Sequence, residues 1–330
     1  MVPKVSVILP THNRKATLPR AIESVLGQSY RDFELIVIDD GSTDGTRQVL
    51  ESYAPEGRIR IESSPHQGCA ATRNMGLDLA VGDYIAFQDS DDEWLPGRLE
   101  RTVAALDASG PELGVCFSAM HMHLQGGKIH PFPAPRVRKG GLIDEVTLDY
   151  QVYGIGIQTA TVRRDCFEVA GRFDESLRRF IDLDMFIRLS QHYEFARIED
   201  PLVNWYRGDG ISSNTFARYE ARRRMIDKYR ALLGRRRRHL AHQYVLTGQD
   251  LMACDRPRYR RRYCMAFGYA CRALGLAPLD PRCRRGAWDI LDGGRRELAS
   301  QLSRRAGLGQ GARGELAGTA TVEGPRADSR

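Results

Sequence analysis

The chain has 330 residues and a mass of 37.2 kDa, with 42% hydrophobic and 28% charged residues, the balance of an ordinary soluble protein, for which neither disorder nor a membrane span is the default. Its net charge of +7 is uneven, about −8 over residues 1–216 and about +15 over residues 217–330, so the acidic front argues against a nucleic-acid-binding core while the basic rear suits a solvated helical surface or an anionic membrane face. The 7 cysteines are scattered without a CxxC pair and fit reduced, mostly buried thiols better than a disulfide framework.

Lys4 to Pro10 is β-branched and apolar on successive residues, which predicts a strand covered on both faces, ending in Thr11-His12-Asn13-Arg14. A strand this early leaves no room for a signal peptide, and no apolar run reaches the roughly 20 residues of a spanning helix; a cytoplasmic protein is expected. Thr17 suits an N-cap and Pro19 a first turn, and Ala21, Ile22, Val25 and Leu26 share one helix face. Phe33 to Ile38 predicts a second strand that runs into Asp39-Asp40-Gly41-Ser42-Thr43-Asp44, and Val49, Leu50 and Tyr53 mark the next helix. Strand and helix alternate here as βαβ units do. Asp40, Ser42, Asp44, Gly45 and Glu51 have the spacing of a calcium-binding EF-hand loop, but a strand stands where that motif needs a helix. The better reading is a loop at the carboxyl edge of a parallel sheet, where open α/β sheets bind ligands.

Arg58 to Ser63 reads as a third strand, and His66 to Gly76 leads a helix that ends near Gly82. Tyr84 to Phe87 reads as a short buried strand that delivers Gln88-Asp89-Ser90-Asp91-Asp92 into a loop. Three carboxylates this close repel one another and need solvent, a basic partner or a hard cation; on spacing alone a solvated turn is the commoner explanation. Trp94-Leu95-Pro96 is expected to open a helix through Leu99, Val103 and Leu106, and Val115 to Leu124 a strand turned by Gly126-Gly127. His121 and His123 share a face of that strand and read as packing residues rather than metal ligands.

Residues 131–150 predict a loop and a short helix, Ile157 to Arg163 a strand, Phe173 to Leu177 a turn, and Phe180 onward a helix carrying Asp182 and Asp184. Pro201 to Tyr206 reads as a last strand. Arginine-rich helices follow from about residue 217. Arg235 to Arg238 and Arg260 to Arg262 read as solvated faces or helix ends, and Tyr263, Phe267, Ala270 and Leu274 as helix packing. Beyond about residue 306 the composition predicts a disordered tail.

Taken in order, Val5-Ser6-Val7-Ile8-Leu9-Pro10-Thr11-His12-Asn13-Arg14, Asp39-Asp40-Gly41-Ser42-Thr43-Asp44, Arg73-Asn74-Met75-Gly76 and Asp89-Ser90-Asp91-Asp92 closely resemble the family 2 glycosyltransferases. Each motif alone is weak; the ordered set is specific, and it covers roughly residues 3–213. The resemblance implies an α/β GT-A fold, Rossmann-like and mostly parallel with flanking helices, over residues 1–216. A basic helical extension over 217–305 and the tail 306–330 would follow.

Carried over by position, the resemblance implies a nucleotide pocket made by Pro10, Thr11, Asn13, Asp40, Arg73, Asp89 and Ser90. Asp40 would accept a hydrogen bond from the base. Asp89 and Asp91 match a DxD motif that holds Mg²⁺ or Mn²⁺ against the donor diphosphate, where negative charge grows as the sugar leaves. Asp92 would assist Asp91 or touch the sugar. Asp182 falls at the position of the catalytic base of an inverting transfer, and Asp184 reads as a charge favoured by its helix dipole.

Two departures stand out. Ile181 replaces a glutamate usual beside the base, and Arg207-Gly208-Asp209-Gly210-Ile211-Ser212-Ser213 lacks the histidine that relatives often carry near the diphosphate. Arg207 would compensate as a phosphate-facing cation.

The expected activity is a metal-assisted transfer from a nucleotide-diphosphate sugar, UDP-sugar favoured, to a glycan, lipid-linked or other hydroxyl acceptor. Peripheral membrane contact through the basic helices is a further expectation, and no nucleic-acid partner is expected. The rivals are a nucleotide-sugar-binding scaffold without turnover and a nucleotidyltransferase. The latter lacks support, because no glycine-rich, lysine-bearing loop follows the first strand.

Overall fold

The computed structural model describes residues 2–208, 215–254 and 262–296. Residues 209–213 of the histidine-free loop, Arg260, Arg261 and the expected tail beyond 306 lie outside them. The chain forms two compact units that divide between Leu240 and Ala241.

The first unit opens with four parallel strands: β1 (Val5–Thr11), β2 (Phe33–Asp40), β3 (Ile59–Ser64) and β4 (Tyr84–Phe87). Helices α1 (Leu18–Leu26), α2 (Thr46–Tyr53) and α3 (Cys69–Leu79) connect them. Every residue of β1 is buried, which explains the unbroken apolar run. β1 lies between β2 and β4, with Val5 opposite both Phe33 and Tyr84. Strand order reverses there and opens a crevice beyond the carboxyl ends of β1, β2 and β4. Helix α3 lies tight on β1: a Cβ at Gly76 would come within 2.4 Å of Ile8 Cγ2. Only glycine fits that contact, which seats the start of α3 over the crevice. Thr17 and Pro19 start α1 as expected, but the Thr17 hydroxyl donates to Ser90 O at 2.9 Å instead of capping its own helix.

The chain after the acidic loop departs from expectation in several places. Glu93 and Trp94 form a two-residue strand, β5 (Glu93–Trp94), so the helix α4 (Arg98–Asp107) starts only after Gly97, whose φ is 80°. Strands β6 (Leu113–His123) and β7 (Ile129–Phe132) make the expected hairpin over Gly126 and Gly127, both at positive φ. No helix forms over 131–150. Ile157–Thr159 is a 3₁₀ turn, and only β8 (Ala160–Arg163) is extended; α5 (Cys166–Ala170) and α6 (Ile181–His192) follow.

The last strand, β9 (Glu194–Tyr206), is 13 residues long rather than six. Its polar first half is held by parallel pairing with β6, a tertiary contact that no local pattern announces. The sheet runs β3-β2-β1-β4-β8-β6-β9-β5, with β7 on β6.

The first unit continues beyond residue 216 through α7 (Thr215–Lys228), α8 (Arg230–Gly234) and the first turn of α9 (Arg237–Met252). Arg235 to Arg238 are exposed between α8 and α9, as solvated helix ends should be. In the second unit, Ala241, Val245, Ala273, Ala277 and Cys283 form a small core among α9, α10 (Arg262–Leu276) and the helical residues 281–296. Here one expectation is corrected: Phe267 is 53% exposed, while Ala270 packs as expected, flanked by the buried Ala266 and Ala273. Helix α9 and residues 281–296 approach closely, for a Cβ at Gly286 would lie 2.2 Å from Val245 Cγ1, and Tyr244 packs against the same core.

Candidate active site

Arg73, the fifth residue of α3, is the centre of the site. Its side chain is only 5% exposed, and its guanidinium joins two acids, with Nη1 2.6 Å from Asp182 Oδ1 and Nη2 2.8 Å from Asp89 Oδ1. The neighbouring Asn74 points the other way. Its side chain accepts from Phe173 N and donates to Phe173 O and Glu175, fastening the 173–177 turn to α3. That turn leads to Phe180, which caps α6 in the left-handed region at φ 60° and sets Asp182 in the first turn. The pair Arg73-Asn74 thus places the acid from α6 beside the acid from the β4 loop.

The acidic loop is held from outside as well. Arg14 Nη2 pairs with Asp91 Oδ2 at 3.1 Å. Arg20 donates to Asp91 O and lies 3.8 Å over the Tyr206 ring. Burial pushes the Asp91 carboxyl up, the Asp89 charge adds to this, and Arg14 opposes it. Confinement likewise raises Asp182, against the pull of Arg73. Asp89 Oδ2 and Asp91 Oδ1 meet no other side chain among the described residues. Two part-exposed carboxylates, each with one oxygen still available, match the oxygen donors that Mg²⁺ or Mn²⁺ prefers. Asp92 does not join them: it is 1% exposed and faces the interior, which rules out a contact with a sugar.

At the far end of the crevice, Asp40 is almost saturated. Its oxygens accept from Gln67 N and Gly68 N, both at 2.9 Å, from the Ser64 hydroxyl at 3.3 Å and from His66 Nδ1 at 3.0 Å. Burial works against its charge, but the two backbone N–H groups prevail and lower its pKa. His12 Nδ1 donates to Asp40 O at 2.7 Å, and the His12 and His66 rings stack at 4.1 Å. Ligand atoms of these three residues lie within 4.8 Å of one another. Stacked rings aim their lone pairs in nearly parallel planes, however, and each Nδ1 carries its proton towards Asp40. As arranged, the cluster is a hydrogen-bonded cap and not a metal centre.

Between the two ends, Asn13 laces the β1 and β2 loops: Ser42 Oγ accepts from its N–H, and its Oδ1 accepts from Thr43 N. Its φ of 52° is left-handed, a conformation that asparagine tolerates better than most residues. Asp44 accepts from Lys15 N and Thr46 N. Of the acids in the EF-hand-like spacing, Asp40 and Asp44 are thus committed to backbone N–H groups, and Glu51 pairs with Arg47 on the surface of α2. Thr11 Oγ1 is buried with no partner among the described residues, an unmet polar group at the carboxyl end of β1.

The sequence model described as Glycosyl transferase family 2 matches residues 6–167. The amylovoran biosynthesis glycosyltransferase AmsB of Erwinia amylovora is 31% identical over 212 residues, which span 61% of this chain and 69% of that protein. The chain belongs to glycosyltransferase family 2. A second relative of this glycosyltransferase is the GalNAc(5)-diNAcBac-PP-undecaprenol beta-1,3-glucosyltransferase of Campylobacter jejuni. It is 42% identical over 101 residues, 30% of this chain and 33% of that one.

Among solved structures, S. aureus TarS 1–349 superposes with a TM-score of 0.61 at 20% identity over 92% of both chains. Its complex with UDP-GlcNAc gives a TM-score of 0.53 at 17% identity over 88% of this chain and 80% of that one. The mannosyltransferase PcManGT from Pyrobaculum calidifontis, in complex with GDP-Man and Mn²⁺, gives 0.51 at 17% identity over 93% and 81%. At such identities the likeness is one of fold, and the fold is the GT-A fold that the motifs implied.

Within this family 2 glycosyltransferase, Arg73, Asp89 and Asp182 share one ionic cluster, and Asp91 stands beside it on Arg14. Pro10 and Thr11 are buried at the end of β1 and Asp40 at the end of β2, Asn13 lies in the loop after β1, and Ser90 contributes its carbonyl to Thr17. Asp184 is more than a dipole partner: it is wholly buried on Arg188, Lys228 and Tyr229. Arg14, Arg20 and the stacked His12 and His66 were missed in sequence. Arginine and histidine carry no spacing signature, and only the folded loops bring them to an acid.

Proposed function

We propose that the protein transfers a sugar, with inversion, from a nucleotide-diphosphate donor, most simply a UDP-sugar, to an acceptor hydroxyl. The observation that carries this reading is the bridge of Arg73 between Asp89 and Asp182, which holds a diphosphate-side acid and an acceptor-side acid at one fixed separation. Asp182 takes the proton from the acceptor hydroxyl. The acceptor oxygen bonds to the anomeric carbon as the carbon–phosphate-oxygen bond breaks on the opposite face, and the nucleoside diphosphate leaves. Asp89 and Asp91 would hold Mg²⁺ or Mn²⁺, which neutralises charge growing on the leaving diphosphate. Arg14 and Arg207 supply further positive charge on that side.

Thr11, with its unmet hydroxyl, Pro10, Asn13 and the Ser90 segment would surround the nucleoside. A base reaches Asp40 by displacing the exposed His66 ring or the Ser64 hydroxyl. Ile181 is 9% exposed; it is a packing residue, and Arg73 supplies the counter-charge to Asp182 without a second acid nearby. The UDP-GlcNAc complex of TarS and the lipid-linked saccharide in the name of the Campylobacter enzyme support a nucleotide-sugar donor and a glycan or lipid-linked acceptor. Among the described residues no helix is long and apolar enough to cross a membrane; the basic helices offer a surface for peripheral contact with an anionic membrane.

The test is Asp182→Asn. Sugar transfer is expected to fall at least about 10³-fold while UDP binding in Mn²⁺ stays within twofold. Undiminished transfer would remove Asp182 from the base role.

A further inference from the structure

The 3₁₀ turn Ile157–Thr159 touches both ends of the catalytic cluster. The backbone of Ile157 lies beside the Asp182 carboxylate and favours its charged form. The next residue, Gln158, is 2% exposed and donates Nε2 to Asp92 Oδ2 at 2.8 Å. Asp92 Oδ1 accepts from Tyr206 N at 3.0 Å, and Asp92 O accepts from Gln88 Nε2 at 3.0 Å. Asp92 is therefore the root of the acidic loop, one residue from Asp91.

The turn itself is gripped hard. Gln158 O accepts from Trp94 Nε1 at 2.9 Å and from Arg98 Nε at 3.2 Å. Arg98 is wholly buried and stacks on Trp94 at 3.9 Å, and its remaining partners are Ala160 O and Thr161 Oγ1, all uncharged. A buried guanidinium with no carboxylate is costly, and burial drops its pKa to about 9. Such a cost is more than is needed to end a strand. Gly156 completes the fitting. Its φ of −77° suits any residue, yet a Cβ there would lie 2.5 Å from Gln158 Oε1. The Gln158 amide cannot yield without leaving Asp92.

We propose that Gln158 is a positioning residue: through its amide on Asp92, and as part of the gripped turn that runs beside Asp182, it fixes the acidic loop relative to Asp182. This rests on the glycosyltransferase reading above. It predicts that breaking the tie disturbs metal–diphosphate binding and turnover, while the nucleoside end at Thr11 and Asp40, which the turn does not touch, is spared.

The experiment compares wild type, Gln158→Met and Gly156→Ala by UDP titration calorimetry with Mn²⁺ and with EDTA, by turnover, and by thermal melts. Each variant is expected to lose about tenfold in kcat and about fivefold in the Mn²⁺-dependent gain in UDP affinity, the range for displaced supporting groups at metal sites. UDP affinity in EDTA should stay within twofold. In a Gln158→Ala background, Gly156→Ala should cost nothing further, because no amide remains to be displaced; a merely structural role would lower the melting temperature without changing the Mn²⁺-dependent gain in UDP affinity. Folded variants with kcat and Mn²⁺ gain within twofold of wild type would overturn the positioning role alone. A wild type whose UDP affinity ignores Mn²⁺ would overturn the metal reading and this role with it.

Discussion

Arg73 shows what a single side chain contributes that no motif states. The sequence places an arginine at a helix start and two acids far downstream, and nothing in their spacing joins them. The geometry asks for a planar fork, because Nη1 and Nη2 serve different acids. A lysine keeps the charge but offers one point of attachment. Arg73→Lys is therefore expected to keep the fold yet reduce kcat about 10²-fold, and steady-state kinetics on the purified variant will read it. Equal turnover would show that charge suffices. Thr11, Asn13, Asp40, Asp89, Asp91 and Asp182 were all legible as candidates because the family pattern fixes their order. Gln158 and Arg98 were not, since their partners are main-chain atoms or a buried acid that only the fold brings near.

Between elements, the informative connection is that of α7 with α6. Asp184 on α6 is wholly buried, accepting from Tyr229 Oη at 2.8 Å and pairing with Lys228 at 2.7 Å and Arg188 at 2.9 Å. Lys228 also reaches Asp174 at 2.7 Å. The helix that carries Asp182 is thus anchored to the first of the basic helices. Tyr229→Phe removes one hydrogen bond to a buried charge and is expected to cost about 1.5–3 kcal/mol in denaturant unfolding.

Acid should test the same anchor. Burial opposes the charge of Asp174, yet Lys228 and Ser176 outweigh it and hold its pKa at about 2. A carboxyl held below its unfolded value of about 4 stabilises the fold above that pH and loses the effect as pH falls towards 2. Thermal melts of wild type and Asp174→Asn should differ at pH 5 and converge towards pH 2; a constant gap would exclude the linkage.

The same scale shows why boundaries were read less well than existence. The strands β1, β2 and β4 announce themselves by apolar runs. The first half of β9 is polar and becomes a strand because β6 offers it an edge, and Trp94 leaves the expected helix because β9 claims it.

For the whole molecule, the parallel front of the sheet dictates where chemistry can occur. Loops at the carboxyl ends of β1, β2 and β4 converge beside the strand-order reversal, and α6 adds its acid from the later half of the unit. That convergence was legible, because βαβ patterning and the ordered motifs both point to it. The second unit was legible only as helical: its alanine and glycine seams carry no periodic large residues, so the packing face was misplaced onto Phe267.

Ligand linkage offers a test of the assembled crevice. At a hundredfold excess over Kd, UDP with Mn²⁺ should protect the fold by about 2.7 kcal/mol, with a smaller shift for GDP or for UDP in EDTA. A larger response to GDP would move the donor class away from uridine.

The bridge at Arg73 also bears on what happens between turnovers. In the proposed reaction the pocket empties when the nucleoside diphosphate leaves, and carboxylates left close together repel one another. Here a buried guanidinium stays behind, permanently attached to Asp89 and Asp182, so the empty pocket keeps the spacing that the next donor needs.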